Sequence, residues 1–168
     1  TESVFGGAVP KNFFPAVEKG LQDSVGKGPL AAYPVVGVKA TLYDGSYHPV
    51  DSSEMAFKMA TIQAFKKGFI EAGPILLEPI VSLKVTVPDE NTGDVMGDLN
   101  KRRGRVLGME HQGKKQMIDA EVPMSEMFNY PTELRSMTQG RAVYVMEPDG
   151  FMDVPKNIQE EIIKNRAK

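Results

Sequence analysis

Between Val81 and Val87 an apolar residue stands at every second position: Val81, Leu83, Val85 and Val87, with Ser82, Lys84 and Thr86 between them. That period belongs to a strand with one face covered and the other open. Pro88 ends it, because proline has no N–H to give a ladder. Thr92 is placed to cap a helix through Asn100 that turns Val95, Met96 and Leu99 inward, and Gly104 and Gly113 bracket a second strand. Ile118, Ala120 and Val122 mark a third strand. Ser125 opens a helical region that Pro131 interrupts and Gly140 closes, and Ala142, Tyr144 and Met146 mark a fourth strand. The order β-α-β-β-α-β over residues 80 to 147 is the ferredoxin-like split βαβ arrangement, an α+β fold.

The preceding half reads helix, strand, helix, an α/β pattern. Pro15 suits a first helical turn, and Phe14, Val17 and Leu21 fall at helical spacing before the Gly26–Pro29 stretch stops the segment. Val36, Val38, Ala40 and Leu42 alternate with Gly37, Lys39 and Thr41, which predicts a strand with one buried face. It runs into Asp44-Gly45-Ser46-Tyr47-His48-Pro49, a stretch of turn formers expected to be exposed. Asp51 and Glu54 have the spacing of a capping box, so a helix is expected to start there. Met55, Met59, Ile62, Phe65 and Phe69 form its apolar stripe, and Gly73-Pro74 its stop. At the other end of the chain, Pro155 falls in the first turn of a tail helix. Ile158 and Ile162 would dock it, and Lys164, Arg166 and Lys168 sit at the negative end of its dipole.

Composition narrows the chemistry. A chain of 168 residues, 41% hydrophobic and 25% charged, can bury one medium core or two small ones. With a formal net charge of -2 it lacks the overall basic character of a nucleic-acid binder, so any RNA contact must be local. It has no cysteine, which excludes disulfides and thiolate sites and fits a reducing cytoplasm. No stretch is apolar enough to span a membrane and no basic-then-apolar leader opens the chain, so a soluble, cytoplasmic location is expected. Thr1-Glu2-Ser3 leads at once into structured-looking sequence, as in a piece of a longer protein.

No phosphate loop, nucleophile elbow or H-E-x-x-H motif is present, and the two histidines leave few metal geometries, so no catalytic residue and no metal site is expected. His48 and Asp51, three apart, could form an acid/base pair; the blander alternative is a solvated turn histidine beside a helix cap. His111 reads as an exposed hairpin residue. The run Lys101-Arg102-Arg103-Gly104-Arg105 could meet phosphates or could simply be the solvated cationic end of a helix, the second being the more common case.

The stretch Leu42-Tyr43-Asp44-Gly45-Ser46-Tyr47-His48-Pro49-Val50-Asp51-Ser52-Ser53-Glu54-Met55-Ala56-Phe57-Lys58 resembles the strand, tip loop and helix of domain IV of translation elongation factor G. Gly93-Asp94-Val95-Met96-Gly97-Asp98-Leu99-Asn100 with Lys101-Arg102-Arg103-Gly104, and Leu134-Arg135-Ser136-Met137-Thr138-Gln139-Gly140-Arg141, resemble its domain V. The resemblance covers nearly the whole chain. It implies a left-handed βαβ domain like domain 2 of ribosomal protein S5 over residues 1–77, joined by a C-terminal helix over 152–168. A ferredoxin-like domain V is implied over 78–151.

By the same resemblance the chain is the ribosome-binding, rRNA-binding part of a translational GTPase that moves tRNA and mRNA during elongation. Gly45, Ser46, Tyr47 and His48 would form an RNA-binding tip in the decoding centre of the small subunit. Arg135, Ser136 and Gln139 would meet large-subunit rRNA at the sarcin-ricin loop and the L11 region. GTP and Mg would belong to the parent's G domain, leaving this fragment a non-enzymatic monomer without cofactor or membrane partner. Pro49 departs from the family, which often has an acidic or polar residue there. The alternatives are a tetracycline ribosome-protection protein, a recycling-specialised elongation factor G paralogue or, from another class, a ferredoxin-like small-molecule-sensing domain.

Overall fold

The computed structural model describes residue 4 and residues 6–166. The chain divides into two compact units, Thr1–Ile75 with Lys156–Lys168, and Leu76–Pro155.

In the first unit, helix α1 spans Phe14–Gly26 with Pro15 in its opening turn, and helix α2 spans Glu54–Glu71. Val17, Gly20 and Ser24, at i, i+3 and i+7, are the buried face of α1. Gly20 sets the distance between the helices: a Cβ there would stand 2.8 Å from the Lys58 carbonyl oxygen and 3.0 Å from Thr61 Cβ. Lys58 Nζ also reaches Asp23 at 2.6 Å. The side of α2 that becomes half-buried carries Phe57, Thr61 and Phe65, one turn apart, whereas Met55 and Met59 of the expected stripe are exposed.

Two expectations for this unit are corrected. The first concerns the start of α2: Ser53, extended at φ −145°, is the N-cap, and its side chain accepts from the Ala56 amide at 3.1 Å. Asp51 lies back in the turn, where its carboxylate faces His48 instead. The second concerns residues 36–42, which bend at left-handed Gly37 (φ 69°) and carry only a bridge residue, at Leu42, instead of a strand. Val36 and Val38 are exposed. Alternation specifies which face wants cover, and only its far end finds some: Ala40 and Leu42 are half-buried, Val36 and Val38 are not.

The second unit is one four-stranded antiparallel sheet with two helices. Its elements are β1 (Leu77–Pro88), α3 (Thr92–Lys101), β2 (Arg105–Gln112), β3 (Lys115–Pro123), α4 (Tyr130–Met137) and β4 (Val143–Asp153). The strand order β2-β3-β1-β4 is that of the ferredoxin-like fold. Register places Val85 between Ile118 and Tyr144, and Leu83 between Ala120 and Met146. The odd positions of β1 and the even positions of β3 therefore share one face, which packs on Val95 and Leu99 of α3 and on Tyr130 and Leu134 of α4. Full burial of one such aliphatic side chain contributes about 1.5–3 kcal/mol. Pro79 sits beside an irregularity in the β1–β4 ladder, where its missing N–H is tolerated.

Thr92 is not a cap but the first residue of α3. A 3₁₀ turn over Asp89–Asn91 delivers the chain already helical, its i→i+3 bonding takes up an amide that a cap would serve, and Thr92 Oγ1 is left buried without a partner. Pro131, expected to interrupt a helix, instead stands in the opening turn of α4, after Asn129 has reversed the chain in a left-handed conformation (φ 60°).

The arginine run resolves in neither of the expected ways. Arg102 is only 8% exposed, and its guanidinium is surrounded. Its Nε donates to Asp98 at 2.8 Å, Nη2 to Glu133 at 2.7 Å, and Nη1 to the carbonyls of Glu126 and Phe128. The Tyr130 ring lies 5.1 Å from it. Burial alone works against this charge, but hydrogen bonding and proximity to Asp98, then Glu133, outweigh it and raise the pKa. Arg103, at φ 58°, forks both terminal nitrogens onto the Glu78 carboxylate at 2.8 and 2.7 Å and gives Nε to Glu126. Arg105 reaches Glu121 at 2.6 Å.

The tail helix α5 (Lys156–Arg166) falls within the first unit, with Ile158 and Ile162 half-buried. Pro155 precedes it. Arg166 lies 3.8 Å over the Tyr33 ring and donates to the Ala31 carbonyl, while Lys168 is outside the described residues.

Replacing Arg102 with methionine leaves Asp98 and two carbonyls facing an apolar side chain, and is expected to destabilise the second unit by about 3–5 kcal/mol; amide exchange of β1 in urea measures it. Gly20→Ala should loosen α1 from α2 by roughly 1–3 kcal/mol. Gly68→Ala, on the same helix pair but with nothing within 4 Å of its Cβ position, should be neutral or stabilising and serves as its control.

Candidate nucleic-acid interface

Each unit presents one group of the residues singled out in the sequence. In the first, the 44–52 loop is exposed but anchored at three places. Gly45 lies against the core: a Cβ there would be 2.5 Å from Cγ2 of buried Val9, so this glycine's close approach is to the protein's own interior. Tyr47, less than half exposed, has its ring 5.7 Å from that of Phe13, which stacks on Phe57 of α2 at 4.6 Å. A file of three rings thus runs from the loop into the helix pair.

The third anchor is Ser52. The His48 amide donates to Ser52 Oγ at 2.8 Å, and the Ser52 amide returns a bond to the His48 carbonyl at 3.0 Å. With Pro49 holding φ between them, this ring of backbone fastens His48 to Ser52, the residue just ahead of the α2 cap. The imidazole itself is 66% exposed, with Nδ1 3.3 Å from Asp51 Oδ2. Ser46 is exposed. Beneath the strand-like approach to the loop a cleft of about 460 Å³ opens, walled by Val17, Leu21, Leu42 and Phe65.

In the second unit Arg135, Ser136 and Gln139 lie together at the C-terminal end of α4, all exposed. The end is tightly finished. Gln139 (φ 53°) and Gly140 (φ 75°) turn the chain left-handed, and the Gly140 amide donates to the Arg135 carbonyl at 2.9 Å. Asn91 donates to the Met137 carbonyl, Arg141 to that of Thr138, and buried Thr138 bonds back to Leu134. Arg102, Arg103, Arg105 and Arg141 all hold carboxylates of their own unit. Among the described residues of this unit Arg135 is the arginine whose guanidinium has no internal partner. A cation left over on a braced helix end suits an external anion such as a phosphate.

The structure keeps His111 at its hairpin, where Nδ1 is 2.7 Å from Gln116 Nε2 and 3.6 Å from Asp89. Among the described residues no three carboxylate or imidazole groups converge as a metal site would require, and no helix is long and apolar enough to cross a membrane. Sequence reasoning passed over Ser52 and gave Asp51 the wrong task. The signal available was the pair of serines following a His-x-x-Asp spacing, two hydroxyls where a helix start needs one.

Comparison with known proteins fits this arrangement. A family model described as elongation factor G, domain IV, matches residues 1–73, and one described as elongation factor G C-terminus matches residues 75–162. A crystal structure of a protein from Thermus thermophilus is 44% identical over 99% of this chain, with a TM-score of 0.82. This chain spans 25% of the length of that one. Two domains of this kind, one with an exposed, braced loop and one ferredoxin-like, define a translation-factor fragment. The chain belongs to the elongation factor G family, of which it carries domain IV and the C-terminal domain.

Proposed function

We propose that this chain is the ribosome-engaging arm of a translational GTPase that advances tRNA and mRNA, with the loop at Gly45, Ser46, Tyr47 and His48 as the tip that enters the small-subunit decoding centre. The observation that carries the reading is the combination of exposure and bracing at His48: the ring is offered to solvent while its backbone is held at both polar groups. An exposed imidazole beside a tyrosine suits stacking on, or hydrogen bonding to, unpaired bases. Besides the His48 ring the loop carries two surface carboxylates, Asp44, which accepts from the Gly45 amide, and Asp51, and on this reading its work is steric and adhesive. Arg135, Ser136 and Gln139 supply the second contact, to the sarcin-ricin loop and the L11 region of the large subunit. GTP and its Mg²⁺ belong to the G domain of the parent protein.

In the full-length parent, His48→Ala removes a ring contact worth roughly 1–3 kcal/mol. Single-turnover movement of tRNA–mRNA should slow about 5- to 150-fold at that magnitude, with ribosome-stimulated GTP hydrolysis retained; an unchanged rate of movement sinks the tip assignment. Arg135→Ala should weaken ribosome binding by roughly 1.5–3 kcal/mol and flatten the salt dependence by about one counterion, without lowering the unfolding midpoint of the second unit.

A further inference from the structure

We infer that Asp51 is a positioning residue that fixes the tautomer of His48, so that the tip presents Nε2 as a hydrogen-bond acceptor and selects a donor on RNA: a ribose 2′-hydroxyl or a base N–H. The inference rests on the tip assignment above and adds to it the polarity of the contact.

The argument starts from the backbone. Ser52 holds both the amide and the carbonyl of His48, so the pivot of the side chain is set. Asp51 belongs to the same closed turn. Its Oδ2 lies 3.3 Å from Nδ1, just beyond the usual N–H···O range, and Asp51 is not spent on capping α2, because Ser53 does that. A carboxylate can only accept, so a neutral imidazole facing it through Nδ1 keeps its single proton there. The lone pair then sits on Nε2, across the ring from Asp51, in a side chain that is 66% exposed.

A lone pair repels phosphate oxygens and base carbonyls but accepts from hydroxyl and amino groups. The 2′-hydroxyl is what distinguishes RNA from DNA at such a contact. A tip built this way discriminates against the phosphate backbone, which would otherwise capture any cationic ring.

The test reads the ring directly. Long-range ¹H–¹⁵N correlation spectra of the 168-residue chain at pH 8, with His111→Gln to leave one histidine, should show His48 as the Nδ1–H tautomer. Asp51→Ala should shift it toward Nε2–H, the form that an unconstrained histidine side chain favours, and Asp51→Asn, which keeps an acceptor oxygen within reach, should restore Nδ1–H. A wild-type ring that is Nε2–H or doubly protonated, or one indifferent to Asp51→Ala, overturns the inference. On ribosomes, full-length Asp51→Ala should slow tRNA–mRNA movement by roughly 2- to 10-fold, with rescue by Asp51→Asn. If His48→Ala is slow and Asp51→Ala is not, the polarity is wrong and the tip assignment stands; if neither is slow, the tip assignment itself has failed.

Discussion

The guanidinium of Arg102 is the contact on which the second unit turns. It is the last place where α3, the 3₁₀ turn after β3 and the start of α4 meet, and it satisfies two backbone carbonyls that no ladder or helix could reach. Planarity and five donors make this possible; a lysine ammonium, a compact charge with three donors, could not span all four acceptors. Because Asp98 and Glu133 approach from different helices, the charge also fixes how those helices lie on the sheet. The Tyr130 ring closes the remaining side. Burial pushes its phenol well above the ordinary range, with Asp98 adding to the shift and Arg102 opposing it.

That arrangement separates two kinds of surface. Wherever an arginine of this unit stands near the β1–α3–β2 end, a glutamate or aspartate has been supplied for it, so a run that is conspicuous in the sequence contributes almost no free positive charge. Arg135, inconspicuous in sequence, is the one left over. Local density of basic residues therefore misleads about where an anion would bind, and pairing decides it. The same logic holds in the first unit, where Lys58 is tied to Asp23.

Much of the fold was legible because it rests on period. The apolar alternation of β1 and β3 and the spacing of Val95 with Leu99 needed no partner information, since each element declares its own buried face. What was not legible depended on a second segment. Residues 36–42 have the alternation of a strand, but Val36 and Val38 show that a face wanting cover is not the same as a face covered. The helix starts failed for a related reason: Asp51 and Thr92 are competent caps by type, and the approach of the preceding chain decides which hydroxyl or carboxylate meets a free amide. In the tip loop, the exposed residues could be named from sequence and family resemblance. Their bracing by Ser52, Phe13 and Val9 could not, because those contacts cross between segments or run through backbone groups common to every residue.

Helix α2 has 18 residues and so measures about 27 Å. Its first turn is joined to His48 through Ser52 and Ser53, its flank receives the rings that begin at Tyr47, and its middle is pressed against α1 at Gly20 with no room for a methyl group. A loop attached in that manner cannot yield locally. A force on His48 is passed through Ser52 and Ser53 to the first turn of α2, whose next turns, at Lys58 and Thr61, are packed against α1 at Gly20. Deflecting the loop then also strains the α1–α2 contact, which Gly20 keeps too close for a methyl group.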